Sequence, residues 1–81
     1  MDFKMATDVL FDRVGHAELA DALGVSVASI RQARLSETAK ARREPPPHWR
    51  GAAVRLAELQ VLKYQRLADR LRVEAVQEPS R

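Results

Sequence analysis

The side chains of this 81-residue chain that could do acid–base or metal chemistry are few and scattered. Asp8 and Asp12 stand four residues apart, close enough on a helix to share a metal ion or a proton. Nothing near them completes such a site, so a solvated helix face is the expectation. His16 and His48 are thirty-two positions apart and cysteine is absent, which leaves no spacing for a zinc cluster and no disulfide. Both histidines are read as surface or capping side chains, or as phosphate contacts. There is neither a glycine-rich phosphate loop nor a nucleophile set beside a base. These observations predict a protein that is not an enzyme and takes no metal, cofactor or small-molecule ligand.

Arginine is what the chain has in quantity: eleven of its fourteen basic residues. Its planar fork suits two-pronged bonds to phosphate or to guanine. The formal net charge is only +3, but it is unevenly spread. Residues 1–30 carry two bases against five acids, residues 31–55 seven against two, and residues 56–81 five against four. A basic middle behind an acidic start is a patch that attracts phosphate.

Helices must position that patch. Phe3, Leu10 and Val14 recur at spacings of seven and four, with Met5, Ala6, Val9 and Phe11 beside them. A first helix is predicted from Asp2 or Thr7 to Val14, closed by Gly15 in the left-handed conformation. Residues 16–23 form a second, with Leu19, Ala20 and Leu23 inside, Glu18 and Asp21 outside, and Gly24 at its end. Ser26 caps a third over residues 27–35, with Ile30 and Ala33 inward. Residues 36–44 are polar and basic, suited to an extra turn or a continuation of the third helix. Three prolines, Pro45, Pro46 and Pro47, form a stiff extended connector. A final helix begins at Pro47 or His48 and runs to about Val76, roughly 45 Å at 1.5 Å per residue.

The middle of this arrangement meets the demands of a tight helix-turn-helix. Where two helices cross closely, one must offer a small residue, the turn needs a residue at ease with positive φ, and apolar side chains must plug the angle. Ala20, Gly24 and the set Leu19, Leu23, Val25, Ile30 and Ala33 meet these needs in turn. Residues 18–35, ELADALGVSVASIRQARL, resemble the helix-turn-helix of the Cro and phage-repressor family. The likeness is close over about twenty residues, and the flanking helices agree only in order and length. It implies that the third helix enters the major groove of double-stranded DNA, with Val27, Ala28, Arg31 and Gln32 facing the bases and Leu35 at the margin. Arg31 would grip guanine through O6 and N7, Gln32 would pair with adenine, and Val27 and Ala28 would touch a thymine methyl. Ser26, Arg34, Lys40, Arg42, Arg43 and Arg50 are the expected backbone contacts, which supply affinity rather than sequence preference. The family's connector after the third helix is shorter than residues 36–47, so this segment is either a DNA-clamping arm or a spacer.

The apolar side chains of the final helix cover an arc of about 220°, wider than one core needs. Trp49, Ala52, Ala53, Leu56 and Leu59 are expected to close the domain's own core. Val54, Ala57, Val61, Tyr64, Ala68 and Leu71 follow the three-four spacing of a coiled-coil seam, with Leu67 bordering it and Leu62 alone on the polar side. A chain this short buries only about 60% of its unfolded surface, and without cysteine or metal, pairing with a second copy is the remaining source of stability. A homodimer would set two recognition helices about 34 Å apart on an inverted repeat.

The expected fold is all-α: a compact helix-turn-helix domain of three short helices plus a long C-terminal helix. The divisions fall at residues 1–44 for the DNA-binding region, 45–76 for the proline connector and the core and dimerisation helix, and 77–81 for a disordered tail. The family likeness implies a cytoplasmic, nucleoid-associated transcriptional repressor, of the kind that controls phage or phage-like genes such as those of gene transfer agents. Two alternatives stand beside it: a protein-binding module such as an antitoxin or adaptor, and a DNA-binding activator or phage packaging or excision factor. No membrane-spanning segment is expected, because no apolar run approaches 18 residues.

Overall fold

Short side-chain oxygens open two of the helices. Asp2 accepts a bond from Met5 N–H at 2.9 Å, and Ser26 accepts one from Ser29 N–H at 3.1 Å, each satisfying a first-turn amide with no partner inside its helix. The computed structural model describes residues 1–78. In it the chain forms α1 (Phe3–Leu10), α2 (His16–Leu23), α3 (Val27–Ala33) and α4 (Trp49–Gln77), with no strand among the described residues. The architecture is all-α, a small packed domain of three short helices from which a long C-terminal helix projects. Residues 79–81 of the expected tail lie outside the described residues, while Gln77 is still helical.

The α1 helix ends earlier than its apolar spacing suggests. Phe11 closes it, and Asp12, Arg13 and Val14 turn back with bonds of 3.2, 3.2 and 3.0 Å to the carbonyls of Val9, Leu10 and Leu10. That turn aims Val14 into the core. Gly15 is therefore not the left-handed end of α1: it is extended, with φ −76° and ψ 155°, and serves as the N-cap of α2. Its N–H donates to Glu18 Oε1 at 3.2 Å. Thr7, one of two candidate caps, is instead fully buried, its hydroxyl donating to Phe3 O at 2.7 Å. Met5 and Val9 stand exposed on the opposite face.

The link from α2 to α3 is three residues long. Gly24 is left-handed at φ 68°, and Val25 N–H reaches back to Ala20 O at 3.0 Å, the six-to-one bond of a Schellman ending. This reversal sets Leu19 and Ala20 against Ile30 and Ala33, all four buried, with Leu23, Val25 and Val27 half-buried around them. The α2 helix packs on both α3 and α4, and α1 packs on α4. Phe3 and Trp49 meet edge to face at 5.1 Å between ring centroids, joining the two ends of the core.

After α3, which stops at Ala33 rather than Leu35, residues 36–44 make turns instead of a further helix. Ala39 N–H bonds to Ser36 O, Arg42 N–H to Ala39 O, and Arg43 N–H returns to Gln32 O at 3.2 Å. Pro45 and Pro46 lie outside regular structure, Pro47 begins a turn, and His48 takes φ 62° as the N-cap of α4, so the helix starts at Trp49 rather than at Pro47 or His48. A non-glycine residue in that region is uncommon, though histidine visits it more readily than most. The reversal there brings Trp49 into the core.

Trp49 and Ala52 are buried and Ala53 and Leu56 half-buried, but Leu59 is 55% exposed. The expectation that Leu59 closes the domain's core is corrected: helices of seven and eight residues are only about 12 Å long and run out before reaching it. The rest of α4 accounts for the long axis of a molecule measuring 60 × 23 × 20 Å. No described helix is long and apolar enough to cross a membrane.

Gly24 and Gly51 give opposite outcomes on substitution by alanine. At Gly24 the positive φ costs an L-residue about 1 kcal/mol, although the space beyond it is open. Gly51 lies in α4 with nothing within 4 Å of an added Cβ, so Gly51→Ala should gain about 0.5 kcal/mol. Urea unfolding of the two variants should move the midpoint down and up respectively; a neutral Gly24→Ala would contradict the described turn.

Candidate nucleic-acid interface

Burial of Ile30 and Ala33 fixes which side of α3 looks out, because positions a third of a turn away must face solvent. Ala28 and Arg31 are exposed there, and Gln32 is half-buried at the edge. Val27 departs from expectation: it is half-buried and packs against the core, so its methyls contribute to the fold as much as to the outer face. Arg31 has no ion-pair partner among the described residues and is free to engage a ligand.

Gln32 is not free. Its Oε1 accepts from Arg43 Nε at 3.0 Å, alongside the backbone bond between the same residues. The loop after α3 is thus tied back to α3 at Gln32, and Arg43, eleven residues away in sequence, stands beside it. Lys40 is exposed on this loop with no ion-pair partner among the described residues. Ser26 spends its hydroxyl on Ser29, accepting from its N–H and pairing with its Oγ at 3.0 Å.

The remaining expected backbone contacts are engaged within the molecule. Arg34 is the clearest case. Its guanidinium pairs with Asp8, lies over the Phe11 ring at 5.2 Å and approaches His16 Nε2 at 3.5 Å, while its Nε is buried without a partner. It closes α3 onto α1 and the start of α2, so the side chain expected at a phosphate has a structural engagement within the chain. Arg42 pairs with Glu44 at 2.8 Å. Arg50 stacks over Trp49 at 4.5 Å and donates to Met1 O at 3.3 Å, at the N-terminal end of α1. Of the six expected backbone contacts, Lys40 and Arg43 are the exposed cations on the loop after α3, and Arg43 stands beside Gln32.

Asp8 and His16, set aside as solvated or capping residues, turn out to belong to this clasp. Lys4 and Arg34 both bond the Asp8 carboxylate, which holds it below the usual carboxylate range. His16 stacks on Phe11 at 3.8 Å between centroids. Burial, then the charges of Arg34 and Arg31, push its imidazole below the usual 6.5. A guanidinium can only donate, so where Arg34 bonds His16 it is Nε2 that accepts, which favours the neutral ring in the same direction. Only the four-residue spacing of Lys4 and Asp8 was visible in the sequence; the link from Asp8 to Arg34 spans 26 residues.

On α4, Val54, Ala57, Val61, Tyr64, Leu67 and Leu71 are exposed and Ala68 half-buried. Arg13 lies over the Tyr64 ring at 5.9 Å. A groove of about 490 Å³ runs between α1 and α4, its walls including Val9, Leu10, Val14, Ala53, Val54 and Ala57. No group of three or more His, Cys, Asp or Glu residues that could hold a metal ion occurs among the described residues. The chain matches no family model, no curated protein and no solved structure.

The neutral His16 has a measurable consequence. Its folded-state pKa is depressed, so in the window below about 6.5 the unfolded chain binds the extra proton and stability falls. Stability should be full above that value, decline as pH drops through it, and level off below the folded midpoint. Asp8 adds a second loss in strong acid, as its carboxylate is protonated. Urea midpoints from pH 7.5 to 5 should show the first decline, and His16→Gln should abolish it; a midpoint that rises on acidification would refute the described clasp.

Proposed function

We propose that the protein binds double-stranded DNA through the outer face of α3 and acts as a homodimeric transcriptional repressor on an inverted-repeat operator. The observation behind this is the free guanidinium of Arg31 on an exposed helix face whose inner side is pinned by Ile30 and Ala33. Ala28 beside it is small enough to let the helix sit close to base edges. Arg43, which bonds and orients Gln32, and Lys40, exposed on the same loop, supply phosphate contacts. The likeness of residues 18–35 to the Cro and phage-repressor helix-turn-helix supports the repressor role and a cytoplasmic, nucleoid-associated protein. It also favours phage or phage-like genes, including those of gene transfer agents, as the controlled set. The apolar side chains left exposed along α4 favour a second copy as partner. A protein-binding adaptor is the competing reading.

Selection of binding sites from a random duplex library, followed by fluorescence anisotropy, separates the two. Arg31→Ala should weaken specific binding by about 1–3 kcal/mol and relax preference at one base pair, while leaving stability within about 0.5 kcal/mol. Lys40→Ala should weaken binding to all sequences alike and reduce the salt slope by about 1. An adaptor would select no sequence and show no effect of Arg31→Ala. Reporter output from a promoter bearing the selected site should fall; an increase would make the protein an activator.

A further inference from the structure

We infer that the dimer, on which this inference rests, pairs its α4 helices antiparallel, with the end of each helix seated in the α1–α4 groove of the other copy. With Val54, Val61, Ala68 and Ala75 as one set of seam positions and Ala57, Tyr64 and Leu71 as the other, two orientations can be compared. A parallel pair sets like against like: Tyr64 on Tyr64, Ala68 on Ala68, Ala57 on Ala57. Wide and narrow layers would alternate. Its flanks would oppose Gln60 to Gln65 and Leu67 to Arg72, with no pair of opposite charges.

An antiparallel register centred at Arg66 removes the stacking of Tyr64 on Tyr64 and of Ala68 on Ala68 and supplies a pair of opposite charges. Tyr64 then faces Ala68 of the partner subunit, Val61 faces the partner's Leu71, and Ala57 faces the partner's Ala75, so each large side chain meets a small or medium one. Glu58 meets the partner's Arg72 on one flank, twice by symmetry, and the partner's Leu67 meets Leu67 across the centre of the other.

The same register accounts for the groove. Ala57 and Gln60 line it on α4, and Ala6, Val9, Leu10 and Arg13 line it from the α1 side. The last two turns of the second copy lie over this stretch and cover Val9, which is 66% exposed in the single chain. They also bring the partner's Glu74 to the flank on which Arg13 stands. In the single chain Val61 is 65% exposed and Leu71 52%; in this register they cover one another. The two helix-turn-helix units would stand about 40 Å apart along the α4 pair, near one turn of DNA.

The absence of cysteine makes cross-linking a clean test. In the antiparallel register two copies of position 57 are about 27 Å apart, as are positions 57 and 75 within one chain. Ala57→Cys alone should therefore stay monomeric on a denaturing gel after mild oxidation, whereas the double variant Ala57→Cys, Ala75→Cys should yield a covalent dimer. Sedimentation provides an independent arm: Glu58→Arg should weaken dimerisation about tenfold, and adding Arg72→Glu should restore it. Cross-linking by Ala57→Cys alone, or failure of the charge swap to restore pairing, overturns the antiparallel register and leaves a DNA-binding dimer standing. A chain that sediments as a monomer at all concentrations overturns both.

Discussion

Gly24 is the hinge on which the arrangement depends. A helix that did not end in the left-handed conformation at that point would carry its apolar stripe past Ala20 without reversing, and Ile30 could not come back onto Leu19. The three-residue turn is viable because each orphaned backbone group near it finds a partner: Val25 N–H at the Ala20 carbonyl, Ser29 N–H at the Ser26 hydroxyl. With the inner side of α3 so anchored, its outer side is determined without freedom of choice. Position on the surface therefore follows from burial in the core, and the exposed guanidinium of Arg31 inherits its direction from Ile30, one residue before it.

The cations of the basic patch stand in two situations that composition does not separate. Arg34 sits at the close of α3 and is drawn inward by Asp8 and Phe11, from α1 and its C-cap, and by His16 at the start of α2, a set that ties α3 to both helices. Such partly buried pairs add rigidity more than net stability, because desolvation offsets much of their attraction. Arg42 and Arg50 are similarly engaged, the first with Glu44 two residues on, the second with the Trp49 ring and the distant Met1 carbonyl. Arg43 is intermediate, exposed yet bonded to Gln32, so the loop following α3 is attached to the face it borders. This small domain thus uses some of its cations as packing material and leaves others, Arg31 and Lys40, exposed without an ion-pair partner among the described residues.

Much of this was legible in the sequence. Periodicity and caps located all four helices, and the small residue, turn glycine and plugs of the helix-turn-helix occupy the places their types demand. The errors have a common origin in contacts between distant segments. Gly15 has the composition of a helix end, but the need to bury Val14 makes it a helix start. Val27 lies on the outer arc of an ideal wheel, yet the close approach of α2 draws it against the core. Leu59 has the right angle for the core and the wrong height, since the short helices do not extend that far along α4. Nothing local distinguishes Arg34 from Arg31; only the position of Asp8, 26 residues earlier, does so.

The outward face of α3 is the centre of the account, and amide chemical-shift mapping on titration with a short DNA duplex at low ionic strength tests it most directly. Perturbations should concentrate at Ala28, Arg31, Gln32, Lys40 and Arg43, and the solvent-facing amides of Met5 and Val9 should stay put. Shifts confined to α4, or a spectrum indifferent to DNA, would contradict it.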